Sequence, residues 1–251
     1  MYIFDLVIYG IHIAPTWYGL AYAFGFIICY FFMRYHFNFR ESSHIDSFLT
    51  FVFFGIILGG RIGYIVFYNL PYFIEHPVQM LKIWEWGMSF HGGFLGTVIA
   101  VYLYCRKYWY QFWSLIDTLA VIVPIALWLG RIGNWINGEL PWYAPYSGIF
   151  PMNIGWISHF PSPLFEMLLE GIVLFTLMLL SYLYIQKRKP WLLSWIFLIG
   201  YSSARLIAEG YRLPDAHIGY LFSTHWITLG ILYTVPMMLY GIYLLIRKNK
   251  W

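Results

Sequence analysis

Long apolar runs with short polar ends fill most of the chain. A helix needs about 20 mostly apolar residues to cross about 30 Å of hydrocarbon. Seven windows have that character: Trp17–Tyr35, Phe48–Asn69, Met88–Tyr104, Phe112–Asn134, Leu164–Ile185, Trp191–Gly210 and Thr224–Ile246. The pattern predicts an all-α, polytopic membrane protein with seven transmembrane helices. Three segments lie outside these windows and read as cap segments on the outer side. Residues 1–16 are apolar but end in Ala14-Pro15-Thr16, which suits an interfacial segment better than a spanning one. Residues 70–87 and 135–163 are the long loops. The second carries five prolines, many aromatics and few charges, as expected of an ordered cap at the membrane interface, where Trp and Tyr settle. No low-complexity stretch or polar linker divides the chain, so residues 1–251 read as a single integral-membrane domain.

Composition supports this reading. Of 251 residues, 61% are apolar and only 10% charged, and mean hydropathy is +0.65. An average soluble chain carries about 25% charged residues. A soluble particle of this size has too few charges here to cover its surface, and the aromatic content excludes disorder. The net charge of +4 is small, but its distribution is informative. Ten of the 15 Lys and Arg fall in four clusters: Arg34 and Arg40; Arg106 and Lys107; Lys187, Arg188 and Lys189; Arg247, Lys248 and Lys250. The clusters follow the first, third, fifth and seventh windows. The positive-inside rule makes those ends cytoplasmic, so the N-terminus is expected outside and the C-terminus in the cytoplasm. None reads as a nucleic-acid patch. Arg61, Lys82, Arg131, Arg205 and Arg212 remain, in outer helix halves or outer loops, as cations that topology does not require. Cys29 and Cys105 have no disulfide or metal spacing and read as packing residues. The N-terminal Met-Tyr-Ile-Phe-Asp lacks the basic region of a cleaved signal peptide.

An ionisable side chain in a membrane helix costs roughly 2.5–3.5 kcal/mol on insertion scales, and such residues usually face the protein interior or a wet cavity. Arg61, His91, Arg131, Glu139, Glu166, Glu170, Arg205, Glu209 and Arg212 share a similar depth. Local pairing accounts for some of them. Arg205 and Glu209 are spaced i,i+4, and Arg212 is a second candidate partner for Glu209. Arg61 is a candidate for capping by loop carbonyls. The tetrapeptide Gly60-Arg61-Ile62-Gly63 recurs as Gly130-Arg131-Ile132-Gly133. Gly55, Gly59 and Gly63, and likewise Gly92 and Gly96, have the small-xxx-small spacing of closely packed membrane helices. Packing does not explain the arginines. Arg131 begins a run, with Asn134, Asn137 and Glu139, dense in polar groups suited to gripping a polar ligand. His91 stands before Gly92-Gly93 at the start of the third window, with no nearby Cys or second His to suggest zinc. It is either a structural hydrogen-bonding residue or a proton carrier. Guanidinium groups bind phosphate as a bidentate fork and stay charged at any working pH. Several arginines with one proton-transfer residue, at headgroup depth, point to an anionic lipid. No Walker-type phosphate loop is present.

The motifs now assembled make the chain similar to the bacterial prolipoprotein diacylglyceryl transferases. The resemblance rests on Trp17-Tyr18-Gly19-Leu20, Gly59-Gly60-Arg61-Ile62-Gly63-Tyr64 with Phe67-Tyr68-Asn69, Gly87-Met88-Ser89-Phe90-His91-Gly92-Gly93, Gly130-Arg131-Ile132-Gly133-Asn134 with Ile136-Asn137-Gly138-Glu139, Pro161-Ser162 with Leu164 and Glu166, and Tyr201, Arg205, Glu209, Arg212 and Pro214-Asp215. These occur in family order from Trp17 to Asp215. Where the family usually has His-Pro-Ser-Gln-Leu-Tyr-Glu, this chain has Phe160-Pro161-Ser162-Pro163-Leu164-Phe165-Glu166, its Leu140–His159 loop is short, and Ile231 replaces a frequent Gln. The resemblance implies transfer of the diacylglyceryl group of phosphatidylglycerol to the lipobox cysteine of a prolipoprotein, giving a thioether and glycerol 1-phosphate. The partners it implies are phosphatidylglycerol, prolipoprotein signal peptides and membrane lipids, at the bacterial inner membrane with the site facing the outer leaflet. No metal or soluble cofactor is needed. In that chemistry Arg131 and Arg205 hold the phosphate and departing anion. His91 accepts the thiol proton, directly or through Tyr18, and Tyr201 shares the Arg205 site. Asn134, Asn137 and Glu139 orient the headgroup glycerol or the arginines. Arg61, Glu209 and Arg212 bind at the entrance or hold helix ends.

Two other classes compete. A secondary transporter or flippase of an anionic solute or lipid would suit an Arg-lined cavity, but the Gly-Arg-Ile-Gly echo relates two helices of the same orientation rather than an inverted repeat. An intramembrane protease would use Ser89 or Ser162, and neither lies in a nucleophile motif.

Overall fold

The computed structural model describes residues 6–8, 11–13, 17–82, 87–185, 189–214 and 219–248. Ala14-Pro15-Thr16, Lys187, Arg188, Asp215 and Lys250 lie outside the described residues, as do the side chains of Tyr18, Arg247 and Lys248. In chain order the elements are strands β1 (Leu6–Ile8) and β2 (Ile11–Ile13), helices α1 (Trp17–His36), α2 (Ser42–Tyr68) and α3 (Leu70–Glu75), a 3-10 turn (Pro77–Leu81), α4 (Phe90–Tyr108), α5 (Phe112–Asn137), strands β3 (Met152–Ile154) and β4 (Ile157–His159), α6 (Ser162–Glu166), a π-helical turn (Met167–Val173), α7 (Leu174–Tyr184), α8 (Leu192–Glu209) and α9 (Leu229–Lys248). A helix thus occupies each apolar window. Among the described residues five helical runs, Ser42–Tyr68, Phe112–Asn137, Ser162–Tyr184, Leu192–Glu209 and Leu229–Ile246, are long and apolar enough to span a membrane. Large apolar side chains such as Phe54, Leu58, Leu95, Ile99, Leu239 and Tyr243 are exposed along the helices, a surface suited to lipid rather than water. The protein is a multi-pass, mostly helical membrane protein.

The helical expectation omits two antiparallel hairpins. β1 pairs with β2 in the register Leu6 to Ile13, and β3 with β4 in the register Met152 to His159. The second turns at Gly155, whose φ of +62° is open to glycine without a Cβ penalty. Three-residue strands are too short for their alternation to stand out in the sequence.

The chain forms two compact units, residues 32–118 and residues 1–31 with 119–251. In the first, α2 lies on α4 through facing glycines. A Cβ added to Gly55 would meet Gly96 O at 2.7 Å, and one on Gly63 would meet Gly92 Cα at 2.6 Å. The small-residue spacing therefore works as close-packing geometry. Ser89 begins α4, its Oγ accepting from the Gly92 N–H at 3.3 Å. At the opposite end, Tyr104 donates to His44 O at 2.9 Å, and Trp109, at φ 57°, stops α4 in the left-handed conformation.

The second unit brings together α5, the run α6 to α7, α8 and α9. Leu174, Met178, Leu193, Trp195, Tyr201 and Ala208 are buried in its core. Pro124 lies within α5 and Pro236 within α9, as membrane helices tolerate. Between α5 and α6 the loop is ordered: Tyr146 N–H donates to Ser158 O at 2.9 Å and Phe160 N–H to Tyr143 O at 3.0 Å. Phe160 and Phe165, two of the departures from the family pattern, join an aromatic layer with Tyr211. Phe165 and Tyr211 have ring centroids 4.7 Å apart, and Phe160 and Tyr211 6.3 Å.

Candidate active site

Glu166 and Glu170, one helical turn apart, are both fully buried. Isolated carboxylates in that setting would be prohibitively unfavourable, and each is matched by two arginines from other helices. From α5, Arg131 donates through Nε and Nη2 to Glu170 Oε2 at 3.3 and 2.9 Å, while its Nη1 lies 2.8 Å from Glu166 Oε2. From α8, Arg205 Nη1 donates to Glu166 Oε1 at 2.8 Å and to Glu170 Oε1 at 3.3 Å. Each carboxylate thus gives one oxygen to each guanidinium, closing a square of two cations and two anions. Arg205 also pairs with Glu209 at 2.5 Å, as the i,i+4 spacing predicts. Arg212 reaches Glu166 at 3.7 Å. Tyr201, one turn before Arg205, is buried within electrostatic reach of Glu170, Arg205, Arg131 and Glu166.

Local sequence explains how these groups meet. Gly171 follows Glu170, and a Cβ there would meet Trp128 Cβ at 2.7 Å, so the missing side chain lets α5 approach the π-helical turn one turn before Arg131. The π-helical turn itself spans Met167–Val173 and carries Glu170. Such turns are uncommon and occur often at functional sites. At the far side Gly230 performs the same service, since a Cβ there would lie 2.7 Å from Glu209 Oε1. That carboxylate accepts from Thr228 Oγ1 at 2.6 Å, while Thr228 Oγ1 also caps α9 by accepting from the Ile231 N–H at 3.2 Å. A carboxylate at a helix N-terminus is favoured by the helix dipole.

The polar run after Arg131 folds on itself. Helix α5 continues to Asn137, then Gly138 turns at φ +70°. Glu139 accepts from Asn134 Nδ2 at 2.9 Å and from Asn137 Nδ2 at 3.0 Å. These two amides and this carboxylate satisfy one another. No described atom lies within 4 Å of a Cβ placed on Gly130, so close packing does not account for that glycine, unlike Gly63.

In the unit of residues 32–118, Arg61 is buried and donates to three backbone carbonyls: from Nε to Met80 at 3.2 Å, Nη1 to Gly87 at 3.3 Å and Nη2 to Gln79 at 2.6 Å. It braces the loop around the 3-10 turn, the capping role that the sequence left open. His91 occupies the first turn of α4, its ring centroid 5.5 Å from that of Phe90. The backbone of Tyr18 lies in α1.

The sequence points Arg131 and Arg205 to an anionic lipid head, and here both guanidiniums also meet carboxylates. Charge neutrality in a poorly hydrated layer is the physical reason: three guanidiniums, Arg131, Arg205 and Arg212, meet three carboxylates, Glu166, Glu170 and Glu209. Arg212, a second candidate partner for Glu209 by its spacing, also reaches Glu166. The sequence alone assigns no role to Glu166 and Glu170. Their i,i+4 spacing inside an apolar window was the available signal, because two acids on one buried face require cations nearby. Among the described residues, no three His, Cys, Asp or Glu side chains gather as a metal site would need.

A family model described as prolipoprotein diacylglyceryl transferase matches residues 6–247. Three similar proteins carry the name phosphatidylglycerol–prolipoprotein diacylglyceryl transferase. One, from Francisella tularensis subsp. tularensis strain SCHU S4, is 41% identical over 249 residues, covering 93% of this chain and 91% of its own. Those from subsp. mediasiatica strain FSC147 and subsp. novicida strain U112 are each 42% identical with the same coverage. With matched residues running through all of the described helices, the chain belongs to the prolipoprotein diacylglyceryl transferase family.

Proposed function

We propose that this protein transfers the diacylglyceryl group of phosphatidylglycerol to the lipobox cysteine of a prolipoprotein signal peptide. The cysteine sulfur attacks the glycerol carbon that bears the phosphate. An S–C bond forms, the C–O bond to phosphate breaks, and glycerol 1-phosphate leaves with the electron pair. The thiol proton passes to His91, directly or through Tyr18. A free thiol has pKa about 8.5, so a base that takes its proton strengthens the nucleophile. Negative charge grows on the departing phosphate, and preplaced guanidinium groups stabilise it best where water is scarce. Arg131 and Arg205 fill that role, with Tyr201 beside Arg205. Asn134, Asn137 and Glu139 form one polar unit next to Arg131 that orients the headgroup glycerol, and Glu209 and Arg212 complete the charge network. Arg61 acts on substrate through the loop that it holds.

The observation that carries this reading is the convergence of Arg131 and Arg205, at 16% and 8% side-chain exposure and from two different spanning helices, on the same two fully buried carboxylates. Two guanidiniums in a membrane layer are expensive and demand a use beyond bracing. We further propose seven spanning helices in the bacterial cytoplasmic membrane, the N-terminus outside, the C-terminus in the cytoplasm, and the site opening to the outer leaflet. The test is an assay of the purified protein in phosphatidylglycerol vesicles with a lipobox peptide. The peptide should gain the mass of one diacylglyceryl group, and Arg131→Gln should abolish the gain while the protein stays inserted. Lipid movement across the bilayer with no change in peptide mass would overturn the reading in favour of a flippase.

A further inference from the structure

The two carboxylates on Arg131 are not equivalent. Glu170 takes the Nε–Nη2 edge with one oxygen. Its other oxygen faces Arg205 alone. Glu166 takes only Nη1 of Arg131, and it has two further cations, Arg205 at 2.8 Å and Arg212 at 3.7 Å. Removing Arg131 from Glu166 therefore leaves that buried anion with two guanidiniums. Removing Arg131 from Glu170 leaves it one. Arg131 is also the more exposed of the two central arginines, at 16% against 8%, beside the open flank of Gly130.

From this asymmetry we infer a partner exchange on Arg131: Glu170 is a positioning residue that keeps its Nε–Nη2 edge, while Glu166 surrenders Nη1 to the lipid phosphodiester and falls back on Arg205 and Arg212. The inference rests on the transferase reading. It assigns the two carboxylates opposite effects. Glu166 competes with the lipid for one guanidinium, so it weakens binding of the ground state. Glu170 fixes the plane of that guanidinium for the departing phosphate, so it acts on the chemical step. The exchange breaks no covalent bond and needs no co-reactant. It also explains how a charge-neutral resting network accepts an anion, because one carboxylate changes partner and none is left alone.

The experiment uses the full-length protein in nanodiscs and measures two quantities separately: binding of phosphatidylglycerol against a zwitterionic lipid, and kcat and KM for transfer to the peptide. Glu166→Gln should bind phosphatidylglycerol more tightly, by about threefold or more, with KM falling in step. Glu170→Gln should leave binding near the wild-type value and lower kcat by about tenfold or more, with Glu170→Asp recovering part of it. Glu166→Asp serves if Glu166→Gln fails to fold. Its shorter arm withdraws from Arg131 but keeps the charge, so it too should tighten binding. A merely bracing role would lower the folded fraction of both variants and tighten neither. Weaker lipid binding in both Glu166 variants, or an unchanged kcat in Glu170→Gln, overturns the exchange. An inactive wild type in which Glu166→Gln still tightens lipid binding would instead overturn the transferase reading alone.

Discussion

Single side chains decide the chemistry, and their legibility in the sequence is uneven. Arg131 and Arg205 stand out because a guanidinium in an apolar window is expensive wherever it points. Their partners do not, because which carboxylate reaches which nitrogen depends on the approach of three helices. Arg61 shows the same limit: its charge is plain in the sequence, but its three carbonyl acceptors lie 18 to 26 residues away. His91→Gln should reduce transfer and change the shape of its pH–rate profile relative to wild type. A profile of unchanged shape would assign the proton to another group. Gly230→Val should press on Glu209, pull it from Thr228 and lower transfer. The approach of 2.7 Å for one added carbon leaves no room for three, and such overpacking costs roughly 1–3 kcal/mol, readable as a lower melting temperature.

Among the elements, the helices were written clearly. Each apolar window contains one, with ends that move by a few residues. Helix α5 runs on to Asn137 rather than stopping at Asn134, because the polar amides continue the turn until Gly138 breaks it. The hairpins were not legible, since three-residue strands carry little periodicity. The glycine stripes of α2 and α4 were legible as spacing, and their meaning follows from contact. Gly59→Leu should separate the two helices, because even a Cβ at Gly59 would stand 2.7 Å from Gly96 Cα. The expected result is reduced thermal stability by roughly 1–3 kcal/mol, with Ala tolerated better than Leu. Equal melting temperatures for Gly59→Leu and wild type would show that the stripe is not close-packed.

For the whole molecule, the distribution of charge carries more information than its sum. The clustered cations predict sidedness, and introduced cysteines test it cleanly, because Cys29 and Cys105 are both buried. Ser147→Cys, in the exposed loop between α5 and α6, should react with a membrane-impermeant thiol reagent on intact cells. Gln111→Cys, exposed just before α5, should react only after permeabilisation. The reverse pattern would invert the proposed topology. The π-helical turn Met167–Val173 links this global arithmetic to a single position. Excising Leu168 would let the segment rewind as an ordinary α-helix, the lost residue and the tighter winding offsetting each other in everything beyond the turn. Glu170 would then stand three residues after Glu166 instead of four, so its carboxylate would turn relative to Glu166 and loosen the square of charges. One surplus residue in the helix thus sets the spacing on which the balance of interior charge depends, and shortening it should be read first as failed insertion and only then as lost catalysis.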